Sequence, residues 1–375
     1  MWRPVTTRAT SPFERAGAEL IVDLGAVAAN WRTVARGLGP GVACAAVIKA
    51  DAYGLGMAPV ARALTGAGCG AFFVATPDEG ASLRRVVPDA TINVLHGVPP
   101  GAEGFFTRHR LIPVINDLGE LERWRRHLAR RGGSAIVHLD TGLNRLGMTA
   151  EDSARLAAEP AALAGLRITW MGHLACADEP GHPMNAEQLT RFRALLARLP
   201  KAPASFAASA GILLGPGYHF DLVRPGYCLY GGNPVTGMAP MRPVVRVRAR
   251  ILQVREIDTP QSVGYGAAHR VAGPSRIATV PVGYADGYLR SLGGRGTAVL
   301  DGIRVPLVGR ISMDLSTIDV TAVPANRARP GATVDLIGSD VTIDDVAKAA
   351  GTIGYEILTA LGRRYPRRHV DGVAP

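Results

Sequence analysis

Lysine is nearly missing from this chain of 375 residues: Lys49, Lys201 and Lys348 stand alone among 42 basic side chains. Cysteine is scarce too. Cys44, Cys69, Cys176 and Cys228 are widely separated and form no CxxC pair, which argues against a metal centre or a disulfide framework and fits a reducing cytoplasm. No apolar run approaches the roughly 18 residues of a membrane span. The first fifteen residues, MWRPVTTRATSPFER, have no apolar h-region, so they read as a polar tail (1–15) and not as a secretory signal. Aromatic residues make up only 6% and are not interleaved with the arginines. The net charge of +11 therefore lacks the stacking platform of a nucleic-acid binder. Dispersed arginine with abundant alanine and glycine reads instead as GC-rich coding. In such a composition, a lysine kept at the end of an apolar run points to chemistry that arginine cannot perform.

What is present is an ordinary folding composition, 47% hydrophobic and 19% charged, long enough for a large domain and a smaller one. Up to about residue 232, short apolar runs alternate with amphipathic stretches. The runs are Ala43–Lys49, Ala71–Ala75, Thr91–Leu95, Leu111–Ile115, Ala135–Asp140, Arg167–His173, Ala204–Ala208 and Val223–Tyr230. Helical patterns such as Met57–Ala67, Leu118–Arg131 and Asn185–Leu199 lie between them. Eight strands that need cover on their outer faces predict a (β/α)8 barrel over 16–240. Residues 18–23 are left over, with pairing expected in the C-terminal domain. From 241 to 375 the pattern becomes short strands with Gly, Pro and Asp turns: Val244–Glu256, Arg276–Val282, Thr297–Leu300, Ile303–Val308, Ser316–Val320 and Thr333–Ile337, with a helix near Ile343–Ala350. This predicts a mostly antiparallel β domain.

Barrel chemistry sits where strands end. Lys49 ends the first strand, Arg145 follows the fifth, His173 closes the sixth, Ser209 follows the seventh, and Arg224, Gly226 and Tyr227 lie in the eighth. Each has a plain reading: a surface lysine, a core histidine, ion-pair arginines, and a serine that caps a helix. Seven such positions on one rim are harder to explain separately. Together they ask for a ligand with a phosphate, a carbonyl that lysine can condense with, and ring atoms for arginine and histidine. Pyridoxal phosphate has all three.

The blocks AVIKADAYGLG (46–56), DTGLNRLG (140–147), GHLACAD (172–178), FDLVRPGYCLYGG (220–232), SVGYG (262–266), VPVGYADG (280–287) and VGRISMD (308–314) resemble the alanine racemase family, from about Ala18 to Val370. The resemblance implies a pyridoxal 5′-phosphate-dependent enzyme that interconverts L- and D-alanine, for cell-wall synthesis or catabolism, working as a head-to-tail homodimer with shared active sites. It implies Lys49 and Tyr265 as the catalytic pair, and Lys49, Tyr53, Arg145, His173, Ser209, Arg224, Gly226 and Tyr227 as cofactor contacts. Arg145, Met313 and Tyr284 would meet the substrate, with Tyr265 and Met313 supplied by the partner subunit. No metal, nucleic acid or membrane is expected. The alternatives are a broad-specificity racemase acting on serine or larger residues, a decarboxylase of similar architecture, and a non-catalytic pyridoxal-phosphate carrier. The last two fit less well: no cysteine lies in the β domain, and carriers usually lack that domain and a second base.

Four positions depart from the family pattern. His138 stands where many members carry a lysine, often carbamylated, that positions the active-site arginine. Ser205 replaces a histidine that links the ring-binding arginine to the catalytic tyrosine. Ala208 replaces an asparagine, and Arg363 aligns with a phosphate-binding tyrosine. A guanidinium such as Arg224 keeps its protons at working pH, so on a pyridine nitrogen it leaves that nitrogen unprotonated and favours reprotonation at Cα. A phenol base has an ordinary pKa near 10. With Ser205 in the histidine position, a pH optimum above neutrality is expected.

Overall fold

The computed structural model describes residues 11–235, 237 and 240–372. Residues 1–10 of the expected tail lie outside them. The chain divides into two compact units, one of residues 25–242 and one joining the segment up to Leu24 to the chain from Pro243 onward.

The first unit is a closed parallel barrel. Its strands run Ala71–Val74, Thr91–Val94, Leu111–Ile115, Gly133–His138, Leu166–Met171, Ala204–Ala208 and Leu222–Arg224, each hydrogen-bonded to the next. The remaining strand closes the ring in two pieces: Ala43–Cys44 pairs with Leu222–Arg224, and Ala46–Val47 pairs with Ala71–Val74. Ala45 N–H and Val47 N–H donate to the carbonyls of Val223 and Pro225, so the ladder crosses the break. Strands buried on both faces must be apolar throughout, and Phe72, Phe73, Val74, Val114, Ile115, Ile136 and Val137 are all buried. Phe192 stacks on Phe206 with centroids 4.6 Å apart, and Phe220 meets both edge-on. Such pairs add about 0.5–1.5 kcal/mol each beyond area burial.

The structure shortens the expected strands at both ends of this ring. Val223–Tyr230 is strand only as far as Arg224, because Pro225 has no N–H to continue a ladder; Tyr227–Tyr230 coils into a 3-10 turn. At the first strand the ladder stops at Val47, and Lys49 opens a short helical turn, Lys49–Tyr53.

In the second unit a nine-stranded sheet among the described residues runs Gln253–Ile257, Ser275–Val280, Ser316–Asp319, Ile303–Val308, Thr297–Leu300, Thr333–Ile337, Val245–Arg250, Ala18–Asp23 and Arg367–Val370. Every pairing is antiparallel except that of Ala18–Asp23 with Arg367–Val370. The single strand expected over Val244–Glu256 is two, because the halves pair with different neighbours. Ile251 N–H donates to Ala332 and Leu252 N–H to Thr279. The hairpin Gln261–Val263/His269–Val271, the helix Gly354–Ala360 and the strand Arg367–Val370 add to the expected elements. Among the described residues no helix is long and apolar enough to cross a membrane.

Candidate active site

Parallel strands place all their C-terminal ends on one rim, and eight of the expected residues gather there. Behind Lys49 the backbone turns left-handed for four residues, with φ of 52°, 54°, 54° and 57° at Ala50, Asp51, Ala52 and Tyr53. Left-handed helix costs L-residues about 1–2 kcal/mol each, so such a run persists only where its surroundings over-determine it. Ala52 and Gly54 N–H close the turn on the carbonyls of Ile48 (2.9 Å) and Ala50 (2.7 Å). Met57 N–H donates to Asp51 Oδ1, and Ala50 N–H to Glu79 Oε1, each at 2.7 Å. Burial lowers the proton affinity of the Lys49 amine below the ordinary lysine value. The Arg145 guanidinium lowers it further, and Glu79 opposes both.

Arg224 is 4% exposed. Its Nη1 donates to Ser205 Oγ at 2.5 Å, and its Nη2 to the carbonyls of Gly172 (2.9 Å) and Phe206 (3.3 Å). Burial pushes its pKa down to about 10, which still leaves it cationic at neutral pH. His173 Nδ1 lies 3.4 Å from the same Nη2 and can only accept there. Burial, and then Arg224 and Arg145, hold the His173 pKa near about 3, so the ring is neutral.

Beside Arg224 is a cradle. The plain reading of Ser209 as a helix cap does not hold, because Ala208 occupies the cap of Ser209–Leu213. The buried Ser209 hydroxyl instead accepts from Gly226 N–H at 2.9 Å and Cys228 N–H at 3.4 Å. A side chain on Gly226 would place its Cβ 2.5 Å from Tyr53 Oη and 3.2 Å from Val47 Cβ. The tight approach of phenol, hydroxyl and amides is what a phosphate group asks of a protein. Tyr53 is held by Tyr230, ring centroids 4.7 Å apart, and Tyr230 Oη donates to the Val47 carbonyl.

Arg145 is exposed, on a loop closed by Asp140, whose Oδ1 accepts from Gly142, Leu143 and Asn144 N–H at 2.9–3.2 Å. Below the loop, His138 is buried and its pKa falls to about 4, through desolvation first and Arg224 second. Asn116 Nδ2 donates to the Val114 carbonyl, which turns Asn116 Oδ1 toward His138 Nδ1 at 3.1 Å. The imidazole proton is thereby assigned to Nδ1. Gln188, fully buried and missed in the sequence, links two rim loops. Its Nε2 donates to Thr141 Oγ1 and the His173 carbonyl, and its Oε1 accepts from Ala175 N–H. Its single signal was a polar residue on the buried face of a helix.

The remaining expected residues belong to the second unit. Tyr265 stands 72% exposed in a tight turn after the strand Gln261–Val263. Gly266 there has φ 68°, and a Cβ would meet Arg310 Nη1 at 2.8 Å. Tyr284 and Met313 are brought together: Tyr284 and Ala285 N–H donate to the carbonyls of Ser312 and Met313 at 3.1 and 3.0 Å. Arg364 ties their turns, pairing with buried Asp286 (3.1 Å) and with Asp314 (2.8 Å). Neither Asp286 nor Arg364 was anticipated. Arg363 beside it is exposed.

Fold and rim define a class: (β/α)8 barrels that offer a desolvated lysine, an anion cradle and a buried arginine at the strand ends. The match to known proteins is narrower. Residues 22–234 match the N-terminal domain of alanine racemase and 244–369 its C-terminal domain. The alanine racemase of Rhodospirillum rubrum is 53% identical over 361 residues, 95% of this chain and 96% of that one. Two Agrobacterium fabrum relatives, described as biosynthetic and catabolic alanine racemases, are 46% and 44% identical, each over 96% of this chain and over 96% and 94% of their own lengths. Among solved structures, alanine racemase from Bartonella henselae with covalently bound pyridoxal phosphate superposes with a TM-score of 0.90 at 39% identity, covering 94% of this chain and 99% of that one. The biosynthetic enzyme of Pseudomonas aeruginosa gives 0.89 at 34%, with the same coverage. The chain belongs to the alanine racemase family.

Proposed function

We propose that the chain is a pyridoxal 5′-phosphate-dependent enzyme that interconverts L- and D-alanine, with Lys49 and Tyr265 exchanging the α-proton. The observation that carries this reading is the rim lysine itself. Its amine is desolvated and biased toward the neutral form, beside a cradle fitted to a phosphate. Ser209 and the Gly226 and Tyr227 amides, with Tyr53 alongside, would hold that phosphate. Lys49 would carry the cofactor, and Arg224, His173 and Arg145 would address its ring. When bound, the cofactor supplies an electron sink for the pair left at Cα when the proton departs.

Inverting a stereocentre by proton exchange needs a base on each face of the carbon. Lys49 Nζ would hold the proton on one face, and Tyr265 Oη would serve the other. Arg145 orients the substrate carboxylate, while Met313 and Tyr284 border the substrate. Arg224 cannot release its proton at working pH, so it would donate to the ring nitrogen without protonating it. The α-carbon is then the favoured site of reprotonation. We assign Tyr265 and Met313 to a second copy of the chain in a head-to-tail dimer. Their exposure, 72% and 53%, with Tyr284 at 42%, supports a face that another copy covers. All four cysteines are free, which supports action in a reducing compartment, the cytoplasm. Biosynthetic and catabolic relatives match almost equally, so the reading is of the reaction and not of its role.

The test is incubation of the cofactor-loaded protein with L-alanine in deuterium oxide. D-alanine should appear with deuterium at Cα; unchanged L-alanine, or conversion without deuterium, would reject the reading.

A further inference from the structure

Glu79 is the third residue of the helix Pro77–Val86 and completes a capping box with Thr76. Such a box needs one carboxylate oxygen. Here Oε2 supplies it, accepting from Ala75 N–H at 2.7 Å and Thr76 N–H at 3.3 Å. The other oxygen, Oε1, crosses to the neighbouring strand end and accepts from Ala50 N–H at 2.7 Å. Ala50 is the first residue of the left-handed run, at φ 52° and ψ 49°, and follows Lys49 directly. One carboxylate therefore clamps the end of the second barrel strand to the strained turn that presents the lysine.

We propose that Glu79 is a positioning residue for Lys49, its carboxylate holding the Ala50 amide so that the left-handed turn keeps the lysine amine in place on the rim. It also places a negative charge near that amine. The groups acting on Lys49 are the Arg145 guanidinium from the loop after the fifth strand, Glu79 from the helix after the second, and His173, neutral, from the end of the sixth. Asp51, on the turn itself, is held by Met57 N–H. Glu79 is the group that favours the ammonium form against burial and Arg145. Glu79 thereby opposes the loss of proton affinity that burial and Arg145 impose on the rim lysine.

The consequence for catalysis rests on the reading of Lys49 given above; the test does not. With three lysines in the sequence, reductive ¹³C-methylation of the full-length, cofactor-free chain gives a short set of dimethyl-lysine signals, assigned by Lys201→Arg and Lys348→Arg. Glu79→Gln keeps an acceptor for Ala50 but removes the charge. It should lower the titration midpoint of Lys49 by about half a unit or more while leaving the other two lysines unmoved. Thr76→Ala breaks the capping box and spares the Ala50 contact, so Lys49 should titrate as in the wild type. Equal midpoints in Glu79→Gln and the wild type, or equal shifts in both variants, would overturn the role. Should either variant fail to fold, amide exchange of the wild type decides: Ala50 N–H should exchange much more slowly than exposed turn amides, and fast exchange would overturn the clamp. Should Lys49 titrate as expected in the methylated chain while the unmethylated protein takes up no cofactor, the proposed function would fall and the role of Glu79 would stand.

Discussion

Ser205 Oγ accepts from Arg224 Nη1 at 2.5 Å and donates its own proton to the Leu222 carbonyl at 2.6 Å. The hydroxyl thus ends the contact on the backbone. Ser205→Ala would take from the buried Arg224 guanidinium the acceptor at Nη1, at about 1–3 kcal/mol. The thermal midpoint should fall by several degrees. An unchanged midpoint would show that Arg224 does not depend on the serine.

The two rim histidines make stability depend on acid. His138 is held near about 4 and His173 near about 3, both below the ordinary 6.5. From pH 6.5 downward the unfolded chain binds protons that the folded chain refuses. Stability is thus complete above 6.5 and is lost as pH falls toward 4, at about 1.4 kcal/mol per pH unit for each ring. Denaturant midpoints between pH 7 and 4.5 should show this slope, and His138→Gln should flatten part of it. A variant slope equal to that of the wild type would contradict a neutral buried ring.

Gly226→Ala tests the cradle. Its methyl would press on Tyr53 Oη at 2.5 Å. Affinity for pyridoxal 5′-phosphate should weaken at least about tenfold, or 1.4 kcal/mol, while the rate of reaction of pyridoxal, which lacks the phosphate, should change little. Equal losses for both ligands would place the phosphate elsewhere.

Tyr265→Phe would remove one of the two proposed bases. Turnover should fall in both directions, and the loss of the α-proton should slow much more for one enantiomer of alanine than for the other. Symmetric slowing would deny the phenol a face of its own.

How far the sequence leads is clear from particular residues. Eight strand runs were legible because strands covered on both sides must be apolar, and the rim residues followed from strand order. The left-handed turn after Lys49 was not legible: Ala50, Asp51 and Ala52 carry no signal for that backbone, and only Gly54 and Gly56 mark a turn at all. Glu79 was hidden because its capping box reads as local, although one oxygen serves a distant strand. Asn116 and Gln188 were hidden because single polar residues carry no period. The strand over Val223–Tyr230 was read too long because its aromatic side chains look like strand, while Pro225 decides the backbone.

The central claim is that Lys49 binds the cofactor covalently. Borohydride reduction of the cofactor-loaded protein, followed by peptide mass mapping, tests it directly. A pyridoxyl-phosphate mass on the peptide containing Lys49, and on neither peptide containing Lys201 or Lys348, is expected. An unmodified Lys49 peptide, or the label on either of the other lysines, would contradict it.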